Sequence, residues 1–194
     1  MSGRRERTKA ANRAALVDAA RDAFGALGYE AAGVRDIVRR TGLAPGTFYN
    51  YFPDREAVFR AVVRETGTEV RRRVRAARRD AAGLEAFVEA GYRAYFEAIV
   101  EDPATFAFLR RNLDVLGETG LAAELPLGAA ELAEDLEALV ARGALAPLDV
   151  DYCAHAMVAV GVELGARMAE RDPPDVDGAT RFATALFLAG VARP

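Results

Sequence analysis

Apolar residues recur along the chain with the spacing of helices rather than of strands. From residue 13 to residue 27 one apolar residue falls at every third or fourth position, which is typical of a helix with one buried face. The residues of that face are Ala15, Leu16, Ala19, Ala20, Ala23, Phe24 and Leu27. Asn12 can cap the start of this helix and Gly28 can end it.

Glycine and proline divide the remaining sequence into further helical segments. The predicted helices after the first cover residues 34–41, 45–52, 55–79, 82–101, 103–116, 127–143, 149–171 and 175–191. No stretch alternates apolar and polar residues for long enough to predict a sheet. The sequence therefore predicts an all-α fold of about nine helices.

Residues 34–52 have the composition of a helix-turn-helix, in which two short helices are joined by a tight turn, here at Gly42. In the second helix Phe48 and Phe52 lie four residues apart, and we expect both to face inward onto Phe24, Ile37 and Leu43. Four large aromatic residues cannot share one small core, so the other side chains of this helix face outward or sideways. Those side chains are Thr47, Tyr49, Asn50 and Tyr51. Hydroxyl groups contact phosphates, and asparagine can hydrogen-bond adenine in the major groove.

The distribution of charge supports an anionic partner for the first part of the chain. Residues 1–79 contain 18 Lys and Arg against 9 Asp and Glu, whereas residues 80–194 contain 8 against 20. The alternative is an ordinary fluctuation of charge along a chain. The coincidence of the basic part with the helix-turn-helix favours nucleic acid as the partner.

The residue inventory argues against an enzyme and against a metal site. Ser2 is the only serine, and Cys153 and His155 are the only cysteine and histidine. A serine nucleophile, a disulfide and a multi-ligand zinc site are therefore not expected, nor is any cofactor, because no phosphate-cradling glycine motif is present. No uncharged apolar run reaches about 18 residues and no signal peptide is evident, so we expect a cytoplasmic protein with no membrane partner.

Residues 13–60 resemble the DNA-binding domain of the TetR family of transcriptional regulators. The resemblance lies in residues 24–29, 34–37, 42–43, 46–52 and 54–56. It implies a flexible basic arm at 1–12, a helix-turn-helix domain at 13–60, and a helical ligand-binding and dimerisation domain at 61–194. It further implies a homodimer that binds a palindromic operator in double-stranded DNA, and a repressor that a small, largely apolar inducer releases.

The resemblance also assigns DNA contacts to individual residues. Thr47, Tyr49 and Tyr51 match positions that contact phosphates and bases, and Asn50 matches a variable position that helps to set sequence choice. Arg35 and Arg55 match phosphate contacts, Arg55 standing where a lysine is usual. Two residues depart from the family pattern, namely Pro45 in place of a common lysine and Gly33 in place of a common threonine cap. The basic residues of the arm, which either follow the DNA or form a solvated tail, are Arg4, Arg5, Arg7 and Lys9.

The last two predicted helices are rich in small and apolar residues, which allow close helix packing. We expect them to pair with their symmetry mates in a four-helix bundle, the alternative being a core within one chain. The predicted interface residues are Met157, Val158, Gly161, Gly165, Phe182, Leu186 and Phe187.

The segment 87–113 is unusually aromatic, which predicts either an apolar ligand cavity or ordinary core. The candidate pocket residues are Phe87, Tyr92, Tyr95, Phe96, Phe106 and Phe108, with His155 as a further candidate or a satisfied core residue. Residues 92–96, 102–103 and 106–111 also resemble a TetR-like branch that senses long-chain acyl-CoA and represses fatty-acid synthesis genes. The arginines between residues 71 and 79 either hold the phosphates of such a ligand or form a solvated face. A DNA binder without an inducer and a purely structural helical protein remain the alternatives.

Overall fold

The structure, a computed structural model, describes residues 2–118 and 128–191, and within these ranges it contains nine α-helices, one 3-10 helix and no strand. The α-helices are α1 (Ser2–Leu27), α2 (Val34–Arg39), α3 (Arg55–Arg79), α4 (Leu84–Glu101), α5 (Pro103–Arg111), α6 (Leu113–Glu118), α7 (Ala129–Ala141), α8 (Val150–Ala169) and α9 (Val176–Val191). The 3-10 helix η1 covers Pro45–Asn50. The all-α prediction is confirmed. None of the helices in the described ranges is long and apolar enough to cross a membrane.

The first helix begins eleven residues earlier than the pattern predicted. Residues 1–12 were expected to be a flexible arm, but α1 is helical from Ser2. The reason is that no glycine or proline occurs between Gly3 and Gly25, and arginine, glutamate, lysine and alanine favour helix. Asn12 therefore lies inside α1, where its Nδ2 donates to the hydroxyl of Tyr51 at 3.2 Å instead of capping the helix.

Two further expectations about local structure need correction. Ala15 and Leu27, both placed on the buried face of the first helix, are exposed. The helix expected at 103–116 is divided into α5 and α6 at Asn112, whose side-chain amide donates to the carbonyl oxygen of Phe108 at 2.7 Å.

The chain folds as two units, and the division differs from the boundary predicted at residue 60. Unit 1 comprises residues up to 66 and those described from 103 to 118, and unit 2 comprises residues 67–102 and 128–191. Unit 1 includes α5 because α5 packs closely on α1. A Cβ added to Gly25 would lie 3.4 Å from the backbone nitrogen of Phe108, so glycine permits this approach.

The core of unit 1 is built on three buried phenylalanines. The ring centroid of Phe24 lies 5.1 Å from that of Phe59, and the Phe59 and Phe108 centroids lie 5.5 Å apart. Ile37 of α2 and Phe48 of η1 are buried in the same cluster. The helix-turn-helix is thus anchored to a core that α5 helps to form.

Unit 2 is organised around α4, which packs against α8 and α9, while α7 packs against α8. The approach of α8 to α4 depends on two glycines. A Cβ at Gly161 would lie 3.3 Å from the ring of Tyr92, and a Cβ at Gly165 would lie 2.5 Å from the Cδ1 atom of Ile99. Gly161 and Gly165 therefore serve packing within the chain.

Candidate DNA-binding face

The two faces of η1 differ as the sequence predicted. Phe48 is 0% exposed and Phe52 is 5% exposed, and both belong to the core of unit 1, with Leu43 packed against them. The interpretation of these phenylalanines as core residues is confirmed. Because they anchor one face, the opposite face of η1 is held at the surface.

The opposite face presents polar side chains to solvent. Tyr49 is 61% exposed, Asn50 is exposed and Thr47 is half-buried. Arg35 is exposed at the start of α2. A Cβ added to Gly46 would meet no atom within 4 Å, so this position of η1 borders open space.

The other two predicted contact residues are engaged within unit 1. The hydroxyl of Tyr51 accepts a hydrogen bond from Asn12, and Tyr51 is half-buried. The Nη1 of Arg55 donates to the carbonyl oxygens of Tyr29 at 2.9 Å and Glu30 at 3.1 Å, and the guanidinium lies 4.1 Å from the centre of the Tyr29 ring. Arg55 therefore supports the turn before α2, and its phosphate contact stays a prediction.

No pattern in the sequence indicates the long-range partners of this face. The Nη1 of Arg13 lies 2.6 Å from the Oε1 of Glu65, and its guanidinium lies 5.4 Å from the ring centre of Phe52. Arg13 and Glu65 are 52 positions apart in the sequence, so no helical spacing relates them. The N-terminal part of α1 adds a row of exposed cationic side chains, which are Arg4, Arg5, Arg7 and Lys9.

The residues predicted to line a ligand pocket are divided between the two units. Phe106 and Phe108 belong to unit 1, where Phe108 is fully buried in the core. The four that belong to unit 2 are Phe87, Tyr92, Tyr95 and Phe96. The hydroxyl of Tyr92 donates to the carbonyl oxygen of Met157 at 3.0 Å, and burial raises the pKa of Tyr95 to about 12.

His155 is a surface residue, and its placement in a pocket is corrected. Its side chain is 65% exposed, and its Nδ1 lies 2.8 Å from the carbonyl oxygen of Asp151 one turn earlier in α8. Among the described residues of unit 2, a groove of about 320 Å³ lies elsewhere, between α8 and α9. Its lining includes Leu164, Met168, Ala179, Phe182 and Arg171.

The arginines at the end of α3 divide into two groups. Arg72, Arg75 and Arg79 are exposed, as the solvated-face interpretation expected, whereas Arg71, Arg73 and Arg78 are paired with carboxylates of other helices of unit 2. Arg71 lies 3.0 Å from Glu131 on α7, and Arg73 lies 2.6 Å from Glu101 on α4. The side chain of Arg78 is 7% exposed and lies 3.0 Å from a carboxylate oxygen of Asp135. Burial lowers the pKa of Arg78, as expected for a desolvated cation.

The residues predicted for a dimer interface fall into two groups. Met157, Gly161 and Gly165 are buried within unit 2, which corrects their assignment to an intersubunit surface. Val158 and Phe187 are half-buried. Phe182 and Leu186, one turn apart on α9, are 60% and 48% exposed.

Comparison with known proteins agrees with this arrangement. Residues 16–62 match the family described as bacterial regulatory proteins, tetR family. An uncharacterized HTH-type transcriptional regulator of Haemophilus influenzae is 32% identical over 115 residues. That match covers 58% of this chain, which spans only 55% of the length of that relative.

Solved structures show the same fold over most of the chain. The fatty acid degradation regulator FadR of Bacillus halodurans superposes with a TM-score of 0.81 at 21% identity, covering 91% of this chain and 94% of that one. FadR of Bacillus subtilis, solved in complex with stearoyl-CoA, superposes with a TM-score of 0.77 at 20% identity, covering 91% of this chain and 98% of that one. Residues 16–62, which include the helix-turn-helix at 34–52 with its buried and exposed faces, are therefore similar to the bacterial regulatory proteins of the tetR family, and most of the chain shares the fold of the solved regulators.

Proposed function

We propose that this protein is a DNA-binding transcriptional regulator that contacts its operator through the exposed face of η1. The observation that carries the proposal is the contrast within η1, where Tyr49 is 61% exposed and its neighbour Phe48 is fully buried. An exposed tyrosine offers a phosphate both a hydroxyl donor and a flat apolar ring. The proposed site of action is the cytoplasm, where the DNA of a bacterium lies, and we propose no reaction for this chain.

The proposed contacts follow from the chemistry of the exposed side chains. Thr47 and Tyr49 donate to phosphate oxygens, and the amide of Asn50 faces a base edge in the major groove. Arg35, exposed at the first turn of α2, contacts a phosphate. Gly46 lets the DNA backbone approach η1, since no side chain occupies that position.

The proposed functional form is a homodimer. A helix-turn-helix protein reads two half-sites about 34 Å apart, which requires two copies of the recognition element. Phe182 and Leu186 support this form, because two exposed large apolar side chains one turn apart on α9 are suited to burial against another protein surface.

The proposed inducer is a fatty acyl-CoA, and the proposed sign of regulation is repression that the inducer releases. The support comes from the fold neighbours named FadR and from the apolar, aromatic interior of unit 2. The carboxylate partners of Arg71, Arg73 and Arg78 would have to be displaced before these arginines could hold CoA phosphates. A thermal-shift series across acyl-CoA chain lengths tests this part, and no stabilisation at saturating ligand would contradict it.

Selection of genomic DNA fragments with the purified full-length protein tests the main proposal. We expect recovery of a short duplex with two inverted half-sites separated by about one helical turn. A footprint on that duplex should show protection of both half-sites. Failure to enrich any fragment above random sequence, at a salt concentration where other helix-turn-helix proteins bind, would contradict the proposal.

A further inference from the structure

The turn that joins α1 to α2, residues 28–32, is held by side chains from two distant parts of the sequence. Gly28 has a φ of 82°, and its N–H closes α1 by donating to the carbonyl oxygen of Phe24 at 2.9 Å. Arg55, at the start of α3, binds the carbonyl oxygens of Tyr29 and Glu30. Asn112, at the junction of α5 and α6, binds the N–H of Tyr29 and the carbonyl oxygen of Phe24.

Asn112 uses both ends of its amide. The Oδ1 accepts from the N–H of Tyr29 at 2.7 Å, and the Nδ2 donates to the carbonyl oxygens of Phe108 at 2.7 Å and Phe24 at 3.3 Å. The residue is 1% exposed, so water cannot replace these bonds. Aspartate would lose the two donated bonds, and alanine or leucine would lose all three.

The direction of this turn determines where the recognition surface lies. Gly33, immediately after the turn, caps α2, and α2 packs against η1. The orientation of η1 relative to α1 therefore depends on the bonds that fix residues 28–32 as well as on the core that they share.

We infer that Asn112 is a positioning residue for DNA recognition, which orients the helix-turn-helix through the backbone of Tyr29 and Phe24. Asn112 lies outside the residues 16–62 that match the family, and 83 positions from Tyr29. It belongs to the segment with which the chain returns to unit 1 after α4. The inference rests on the proposed DNA-binding function and adds a residue that touches no DNA.

Removal of the Asn112 hydrogen bonds should therefore lower the affinity for DNA by more than the loss of folded protein accounts for. Without the Asn112 bonds the turn keeps the Arg55 bonds, the backbone bond from Ala32 to Gly28 and the packing of the Tyr29 ring on Phe59, but it loses the hydrogen bonds that tie it to the α5–α6 junction. As a result α2 and η1 sample a wider range of orientations. Since each orientation other than the native one misaligns Tyr49 and Asn50 with the groove, the affinity for DNA falls while the cores of both units remain intact.

The experiment compares full-length wild type with Asn112→Asp, Asn112→Ala and the control Leu116→Ala. Leu116 is 1% exposed in the same core and on the neighbouring helix, so its truncation destabilises unit 1 without removing a bond to the turn. The probe is the duplex recovered by selection with the wild-type protein, titrated well below the lowest melting temperature of the four proteins. Hydrogen exchange at the Tyr29 amide is measured in parallel.

We expect the Asn112 variants to bind the duplex at least tenfold more weakly, and Leu116→Ala to bind within about twofold of wild type at matched folded fraction. Exchange of the Tyr29 amide should accelerate in the Asn112 variants alone. Three results would overturn the inference. They are equal affinity of Asn112→Asp and wild type for the duplex, equal losses of affinity in all three variants, and failure of both Asn112 variants to fold. If wild type itself recovers no duplex, the proposed function fails instead, so the two failures are distinguished.

Discussion

The two units differ in the large side chains that they leave exposed. Among the described residues, unit 1 exposes Tyr49 on η1 and, at 39%, Leu27 at the end of α1, whereas unit 2 exposes Phe182 and Leu186 on α9, Tyr152 on α8 and, at 39%, Val100 on α4. Unit 1 also contains the basic N-terminal residues of the chain. Charged and hydroxyl groups suit a hydrated polyanion, and exposed apolar groups suit another protein surface. Under the proposed function the two surfaces meet partners of different chemistry, and the following changes test that difference.

Phe108→Ala should have the largest effect and should fall on unit 1. Phe108 is fully buried against Phe24 and Phe59, and removal of a buried phenyl ring costs about 3–5 kcal/mol of unfolding free energy. Urea unfolding of the full-length protein measures the loss. DNA affinity should fall in the same variant, although residue 108 lies outside the family match. A loss below about 1 kcal/mol would argue that α5 is not part of this core.

Phe182→Asp should weaken self-association without a comparable loss of folding stability. The side chain is 60% exposed in one copy, so a charge there is solvated in the monomer and costly only in a buried interface. We expect the dimer dissociation constant, measured by sedimentation equilibrium, to rise by more than tenfold, or by more than about 1.4 kcal/mol. An unchanged dissociation constant would remove α9 from the interface.

Gly165→Ala should destabilise unit 2 by about 1–2 kcal/mol, because the added Cβ would approach the Cδ1 atom of Ile99 to 2.5 Å and the ring of Tyr95 to 3.2 Å. Gly190→Ala is the matched control, since a Cβ there would meet no atom within 4 Å. Thermal melts at one protein concentration compare them. If the two variants melt together, the glycine of α8 is not needed for packing against α4.

The smallest effect concerns the alkaline limit of stability. Burial raises the pKa of Tyr95 to about 12 from its ordinary value of 10.0. A group whose pKa is raised on folding contributes stability that is present below its unfolded pKa and is lost as the pH rises through the folded value. Wild type should therefore lose stability relative to Tyr95→Phe between pH 10 and 12. Parallel stability curves of the two proteins over that range would contradict the burial of this hydroxyl.

Much of the fold follows from local signals, because glycine, proline and the apolar period set the helices. The buried and exposed faces of η1 were predictable for the same reason, since Phe48 and Phe52 lie one turn apart. The unpredicted packing contacts depend on residues that are distant in the sequence. The spacing of small residues along α8 shows that they share one face of the helix, but it does not show that Gly165 faces α4. Nor can any spacing relate Asn112 to Tyr29.

The role of Arg55 illustrates the same limit within the site. The family resemblance implies that Arg55 contacts a phosphate of the DNA. In the structure its guanidinium instead donates hydrogen bonds to the carbonyl oxygens of Tyr29 and Glu30. The residue type and position were predictable, whereas the partner depends on how the turn at residues 28–32 folds back onto α3.

The central claim is that the exposed face of η1 binds DNA, and titration of the selected duplex with wild type, Tyr49→Ala and Tyr49→Phe tests it most directly. Melting temperatures serve as the control, because a side chain that is 61% exposed adds little to folding. We predict that Tyr49→Ala binds more weakly by about 1–3 kcal/mol at an unchanged melting temperature, with Tyr49→Phe between it and wild type. Equal affinity of all three proteins for the duplex would contradict the claim.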